Sequence, residues 1–386
     1  MLAGMNAAPP RKIIYADHNA TTPLGPAARE AMIRALDAWG NPSSSHGIGR
    51  EARELLEGAR AEVASACGVE PKEVVFTSGG SEANAQAILG MHFGTEGLKV
   101  VTSDTEHSSV RDATAFLEKR GATVYRAPVL ASGEIDLDAL ECLLREQRPH
   151  LVSLMAANNE TGVVLDLDRV IALCREYDCA YHCDAVQAFG KLDRKQWNRA
   201  DLISISSHKI YGPKGVGALI VRGNRKLVPL PFGGTQEVKR RGGTQNMVGI
   251  VGFGAACREL GDHSAALSEL QARFESALKH GLTGVSINGS GAPRVPNTTN
   301  VRIEGLVSEV MLSILDLSGV CVSAGSACSS GSIAPSPVLL AMGLSKDEAR
   351  ECLRFSWGRD TQGEDVDAVA RLVIEHVQRI RARNAK

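Results

Sequence analysis

Short apolar runs, each closed by glycine, proline or small polar residues, recur through the first two thirds of the chain. Those at residues 73–76, 99–103, 150–157, 179–184, 201–207 and 216–221 have the length and the Val/Ile/Leu content of buried strands. Amphipathic stretches separate them. A helix is predicted over residues 49–66, and another starts near Pro26, a residue suited to a first helical turn. Strands that alternate with helices in this way build a parallel sheet, so the fold class is α/β. From about residue 262 the pattern changes. A helix over 262–282 leads to strands at 285–288 and 299–303 and to an alternating strand at 353–356, the make-up of a smaller α+β unit. No internal repeat or low-complexity linker interrupts the chain.

Composition narrows the picture. A chain of 386 residues, 44% hydrophobic and 23% charged, is long enough for a large core and two domains. A formal net charge of -1 with no long basic run gives no reason to expect nucleic acid or an anionic membrane as partner. No apolar run approaches the roughly 20 residues of a spanning helix. Met1 to Lys12 lacks the apolar core of a secretion signal. Nine cysteines without a framework spacing point to free thiols in a reducing compartment, and the expected location is the cytoplasm.

The chemistry centres on Ser206-Ser207-His208-Lys209, at the end of the predicted strand 201–207 and just before Gly212-Pro213-Lys214-Gly215. A lysine presented at a strand end is a candidate Schiff-base former, and Ser206 and His208 beside it can hydrogen-bond a phosphate. On its own, Lys209 reads as a solvated loop lysine like Lys214, and the company it keeps elsewhere in the chain reverses that. Thr77-Ser78-Gly79-Gly80-Ser81 runs from a strand into a helix start, where unpaired backbone N–H groups make an anion cradle. Asp184 closes an apolar strand. His107 either caps the helix that follows it or works in a site. Asn158 and Asn159 end another strand and either contact a ligand or hold a turn, since unpaired amides are costly to bury. Cys174, Cys179, His182 and Cys183 suggest a metal site, but the paired spacings of structural zinc are missing and alternation puts His182 on the face opposite Cys183. Buried thiols are the simpler reading.

These motifs, followed from Tyr15 to about Thr361, resemble the class V aminotransferase-like enzymes that use pyridoxal phosphate, and within them the cysteine desulfurases of the NifS/IscS type. The opening Asp17-His18-Asn19-Ala20-Thr21-Thr22 is similar to the family signature, with His18 where a second Asn is usual. The resemblance implies fold type I, with a mainly parallel seven-stranded sheet. It implies a large cofactor-binding domain over 26–261, and a small domain over 262–386 that residues 1–25 join. Lys209 would carry the cofactor and act as base. Gly80, Ser81, Ser206 and His208 would hold its phosphate, Asp184 its ring nitrogen, Gln187 its ring hydroxyl, and His107 would stack on the ring and shuttle protons. Asn159 would contact both ring and substrate, Arg354 would clamp the substrate carboxylate, and Asn41 in Asn41-Pro42-Ser43-Ser44 would border the site, unless that segment is a plain loop. Thr244, in the glycine-rich basic loop of Arg240 to Asn246, would reach the phosphate of a partner subunit in a homodimer.

Ser323-Ala324-Gly325-Ser326-Ala327-Cys328-Ser329-Ser330-Gly331-Ser332 is a small-residue loop with one cysteine at its centre. Such a setting presents a thiol for chemistry instead of packing it. By resemblance Cys328 is the sulfur-accepting nucleophile, and Pro337 stands where the family often has histidine or tyrosine. The implied reaction converts L-cysteine to L-alanine, leaves a persulfide on Cys328 and supplies an iron-sulfur scaffold or another acceptor protein. His107 or the substrate itself must help deprotonate Cys328. No permanent metal is expected, although Cys328 could join a transient shared iron-sulfur cluster. A selenocysteine lyase or other aminotransferase-like enzyme, and a non-enzymatic iron-binding scaffold, are the rival readings.

Overall fold

The computed structural model describes residues 13–223, 225–325 and 335–384. Strand β1 (Ile14–Tyr15) precedes helix Pro26–Ala35, whose proline occupies the first turn. Helix Gly47–Cys67 buries Ala52, Leu56, Ala59, Val63 and Cys67 along one face and stops at Gly68, whose φ of 66° places it in the left-handed region that glycine accepts. The strands β2 (Val74–Thr77), β3 (Lys99–Thr102), β4 (Thr123–Arg126), β5 (Leu151–Ser153), β6 (Ala180–Asp184), β7 (Leu202–Ser206) and β8 (Gly217–Val221) then form one seven-stranded sheet in the order β2-β8-β7-β6-β5-β3-β4. Only β8 runs antiparallel to its neighbours. Every residue of β6, β7 and β8 is buried, because helices cover both faces, and this is why these strands read as apolar runs.

The chain passes from β3 to β4 on one side of the sheet and returns to β5 on the other. This is the kind of reversal at which α/β sheets open a crevice beyond the carboxyl ends of their strands. The strand expected over 150–157 is shorter than its apolar run. The strand ends at Ser153, although Leu154 and Ala156 still donate to the carbonyls of His182 and Asp184 before Asn158 starts a turn. Edge strand β4 went unread, since Thr123, Tyr125 and Arg126 break up its hydrophobic pattern.

Strands β9 (Val285–Asn288), β10 (Thr298–Ile303) and β12 (Cys352–Ser356) form a separate antiparallel sheet, and β1 pairs in parallel with β11 (Val320–Cys321). Helices Ser264–Gly281 and Gly363–Asn384 pack with this sheet around a second core. Phe274 lies at its centre, with ring centroids 4.6 Å from Phe355 and 5.2 Å from Trp357. Pro337 opens the short helix Pro337–Ala341, capped by Ser336, whose hydroxyl also donates to the buried Glu160 carboxylate. Cys328 lies outside the described residues.

Candidate active site

A cavity of about 260 Å³ opens beyond the carboxyl ends of the large sheet's strands. Gly80, Ser81, His107, Asn159, Asp184, Gln187, Ser206, His208, Lys209 and Arg354 all line it. Asn41 and Thr244 do not; both are exposed.

Each side chain arrives on an element end. Gly80 and Ser81 begin helix Gly80–His92 immediately after the β2 turn. A Cβ on Gly80 would lie 2.8 Å from the Val186 side chain after β6, and one on Gly217 would lie 2.8 Å from the Gly79 backbone, so the turn packs against both Val186 and β8 through glycine positions. Ser206 ends β7 beside this turn, and its buried hydroxyl has no protein partner among the described residues. Backbone N–H groups at a helix start and an unpartnered hydroxyl together make an oxyanion cradle. His208 leans on Thr21, Nδ1 to Oγ1 3.1 Å, and burial lowers its pKa to about 4, assisted by the nearby Lys209 and Lys214.

Asp184 closes β6 with both oxygens engaged. Oδ1 accepts the Val186 N–H at 2.9 Å and Oδ2 accepts Asn84 Nδ2 at 2.7 Å. The carboxylate is thereby fixed in orientation while it lines the cavity. Asn84 also donates to Ser109 Oγ at 2.9 Å, a link that sequence reading missed because the three residues come from three different segments.

His107 lines the cavity and also caps helix Ser108–Glu118. Nδ1 accepts the Ser109 backbone N–H at 3.2 Å, so the neutral ring carries its proton on Nε2. Its pKa lies below the ordinary histidine range that suggested a proton shuttle: burial lowers it, Asp184 opposes the shift, and Lys209 and Arg111 add to it. Beneath it, the neighbouring Glu106 accepts the Met155 N–H at 2.7 Å, and burial together with Asp184 raises its pKa well above the carboxylate range.

The two asparagines after β5 divide their work. Asn158 holds the turn, accepting the Glu160 and Thr161 N–H groups and donating to the Thr105 carbonyl, while the Asn159 side chain lines the cavity. Lys209 directs Nζ to the carbonyl oxygens of Asn19 (2.5 Å) and Ala20 (2.8 Å). Gln187 donates Nε2 to Asn19 O at 3.0 Å, and Lys191 donates to Gln187 Oε1 at 2.5 Å and to Asn19 Oδ1 at 2.8 Å. Arg354, 2% exposed, pairs with Asp17 at 2.7 Å and donates to the Asn159 carbonyl at 3.0 Å, while its Nε has no partner among the described residues. Sequence reading assigned no role to Asp17, Asn19 or Lys191. Their contacts with the site come from loops whose meeting no local pattern encodes.

The suggested metal set takes another form. His182 is fully buried with Nδ1 2.8 Å from Ser153 Oγ and Nε2 3.0 Å from Ser204 Oγ, which occupies both ring nitrogens. Among the described residues no three His, Cys, Asp or Glu side chains converge as a metal-binding group.

Comparison with known proteins places this geometry. The chain is 40% identical over 379 residues to the cysteine desulfurase IscS of Dictyoglomus turgidum, covering 96% of each protein. It is 41% identical over 380 residues to the mitochondrial cysteine desulfurase of Arabidopsis thaliana, covering 95% of this chain and 83% of that one. Among solved structures, a NifS-like protein superposes with a TM-score of 0.87 at 32% identity, over 95% of this chain and all of its own (100%). A NifS-like protein from Rickettsia africae gives 0.85 at 32% identity, with 94% and 99% covered. Residues 14–369 match the aminotransferase class-V family, a span that takes in every residue lining the cavity, and the chain therefore belongs to that family.

Proposed function

We propose that this protein is a pyridoxal-phosphate-dependent cysteine desulfurase that converts L-cysteine to L-alanine and retains the sulfur as a persulfide on Cys328. The observation that carries the reading is the convergence of Lys209, Asp184, the Gly80–Ser206 cradle and Arg354 on one cavity. The donor set fits the cofactor. The unpartnered Ser206 hydroxyl and the helix start suit a phosphate, a doubly anchored carboxylate suits a protonated ring nitrogen, and a lysine lines the same cavity. When bound, pyridoxal phosphate supplies an electron sink conjugated to the substrate's amino group.

Asp184 would keep the ring nitrogen protonated, the Gln187 amide would face the ring hydroxyl, and His107 would stack on the ring and offer a proton from Nε2. Arg354 and Asn159 hold the substrate carboxylate, with Arg354 pre-aimed by Asp17 and the Asn159 carbonyl. Lys209 takes the substrate α-proton. The Cys328 thiolate forms an S–S bond to the substrate sulfur as the C–S bond breaks and leaves its electron pair on the three-carbon fragment, which gains one proton at Cβ and regains one at Cα, returned by Lys209, and leaves as alanine.

The same reading extends to assembly and setting. Thr244 and Asn41 complete the cavity of a partner subunit in a homodimer. Their exposure supports this, as do the large apolar side chains Trp39 and Phe232 left at the surface near them in sequence. Residues 26–261 form the cofactor-binding domain and 262–386, joined by 1–25, the small one, a division supported by the separation of the seven-stranded sheet from the three-stranded one and by the core that each packs against. The eight described cysteines are all unpaired, and no helix of the described residues is long and apolar enough to cross a membrane; the proposed location is the cytoplasm and the proposed acceptor an iron-sulfur scaffold. Incubating the pyridoxal-phosphate-loaded protein with L-cysteine and a thiol reductant tests the reaction. Alanine and sulfide released in equal amounts are expected, and cysteine consumed without alanine refutes it.

A further inference from the structure

Lys191 is a cationic side chain close to the cavity that the mechanism above leaves unused. It sits seven residues beyond the end of β6, half-buried, in the turn that also carries Gln187. Among the described residues no carboxylate lies within ion-pairing distance of it. Its amine contacts instead two amide oxygens, Gln187 Oε1 at 2.5 Å and Asn19 Oδ1 at 2.8 Å. Holding an amine here is costly: burial, then the charges of Lys209 and Arg354, push its pKa well below the ordinary lysine range. An amine kept in such a place without a carboxylate calls for a use.

The hydrogen-bond chemistry supplies one. A side-chain amide can present either its oxygen or its NH₂ to a given neighbour, and the two ends have nearly the same shape. The Lys191 amine donates to the amide atom that faces it, and that atom is the oxygen. Gln187 is then obliged to turn NH₂ the other way, where it meets the Asn19 carbonyl at 3.0 Å and the cavity. We propose that Lys191 is a positioning residue that locks the Gln187 amide with its NH₂ toward the cavity, so that the ring hydroxyl oxygen of the cofactor always meets a donor. The inference rests on the cofactor reading above.

A donor at that oxygen stabilises its anionic form, and an anionic oxygen so stabilised holds less tightly the proton it shares with the lysine-bound nitrogen of the cofactor. Other groups bear on the same proton. His107 comes from the start of its helix, Asp184 from β6 and His208 from the turn after β7. Arg354 lies on β12 with its counter-ion Asp17, and His18 stands in the opening turn within the field of Lys191. None of them contacts Gln187 Oε1, which Lys191 does.

The test is a pH titration of the visible absorbance of the loaded enzyme without substrate. In Lys191→Met the midpoint should rise by about one pH unit, a tenfold change in proton affinity, and in Lys191→Arg, which keeps its donors, it should stay where the wild type has it. Should Lys191→Met fail to fold, Gln187→Glu retains the lysine but turns an acceptor toward the cavity, and its midpoint should rise too. A titrating band in the wild type tests the cofactor reading by itself. A midpoint unmoved by Lys191→Met or by Gln187→Glu, or moved as far by Lys191→Arg as by Lys191→Met, overturns the role given to Lys191.

Discussion

The Arg354 guanidinium lies 2.7 Å from the Asp17 carboxylate, a pair separated by 337 positions in sequence that ties β12 to the turn after β1. A second donor of the same side chain reaches the Asn159 carbonyl at 3.0 Å, so the arginine is held in place before any substrate arrives. Arg354→Lys keeps the charge but lacks the planar fork needed to satisfy Asp17, Asn159 and a substrate carboxylate together. Losing one charge-assisted hydrogen bond costs about 1.5–3 kcal/mol, and kcat/KM for L-cysteine should fall roughly 10- to 100-fold. Steady-state alanine formation measures it, with the visible spectrum of the cofactor expected to persist.

Lys209→Ala removes the amine that would bond to the cofactor and the base for the α-proton. Borohydride reduction followed by intact-mass measurement should give a reduced pyridoxyl-phosphate adduct on the wild type and none on the variant. An adduct of the same mass on Lys209→Ala would place the bond on another lysine.

What could be read from the sequence was local. Lys209 after a buried strand, the Gly79-Gly80-Ser81 turn before a helix and Asp184 at a strand end announce themselves by contiguous pattern, and all of these but Gly79 line the cavity. What could not be read was pairwise and distant. Asp17 gains its meaning from Arg354, Lys191 from Asn19, and Asn84 from an aspartate 100 residues away. The capping place of His107 was legible but not its lowered pKa, which depends on burial that no periodicity reports. The apolar run at 150–157 overstated a strand because burial continues through Ala157 while the ladder stops at Ser153.

His182 gives a test of stability against pH. Burial lowers its pKa to about 3, whereas the unfolded chain has the ordinary value near 6.5. Between those values the unfolded state binds the proton and the folded state does not, so stability falls as pH drops below about 6.5, by about 1.4 kcal/mol per pH unit. His18, lowered to about 4, acts in the same direction, and the raised Glu106 and Glu160 carboxyls act in the opposite one. The difference between wild type and variant therefore isolates His182. In His182→Gln the decline in denaturant-derived stability from pH 7 to 5 should be shallower than in the wild type. An identical slope would mean that His182 does not remain neutral in the fold.

If Thr244 reaches the partner's cavity, each site draws on two chains. Mixed dimers of Lys209→Ala and Thr244→Ala protomers then contain one site with both lesions and one with neither. Activity should return to about half the wild-type value per heterodimer if the two sites work independently, as the symmetry of a shared site requires. Heterodimers that form yet stay inactive would place the whole site within one chain.

Desulfuration itself rests on Cys328, because the cavity residues can bind pyridoxal phosphate and an amino acid yet none of them can accept sulfur. The direct measurement is single-turnover formation of alanine and of protein persulfide from L-cysteine in Cys328→Ser. The variant should keep its cofactor colour and still change its spectrum when cysteine is added, while yielding neither alanine nor persulfide above background. Alanine and sulfide released by Cys328→Ser at the wild-type rate would contradict the account and make the protein a lyase that expels sulfide without a cysteine nucleophile.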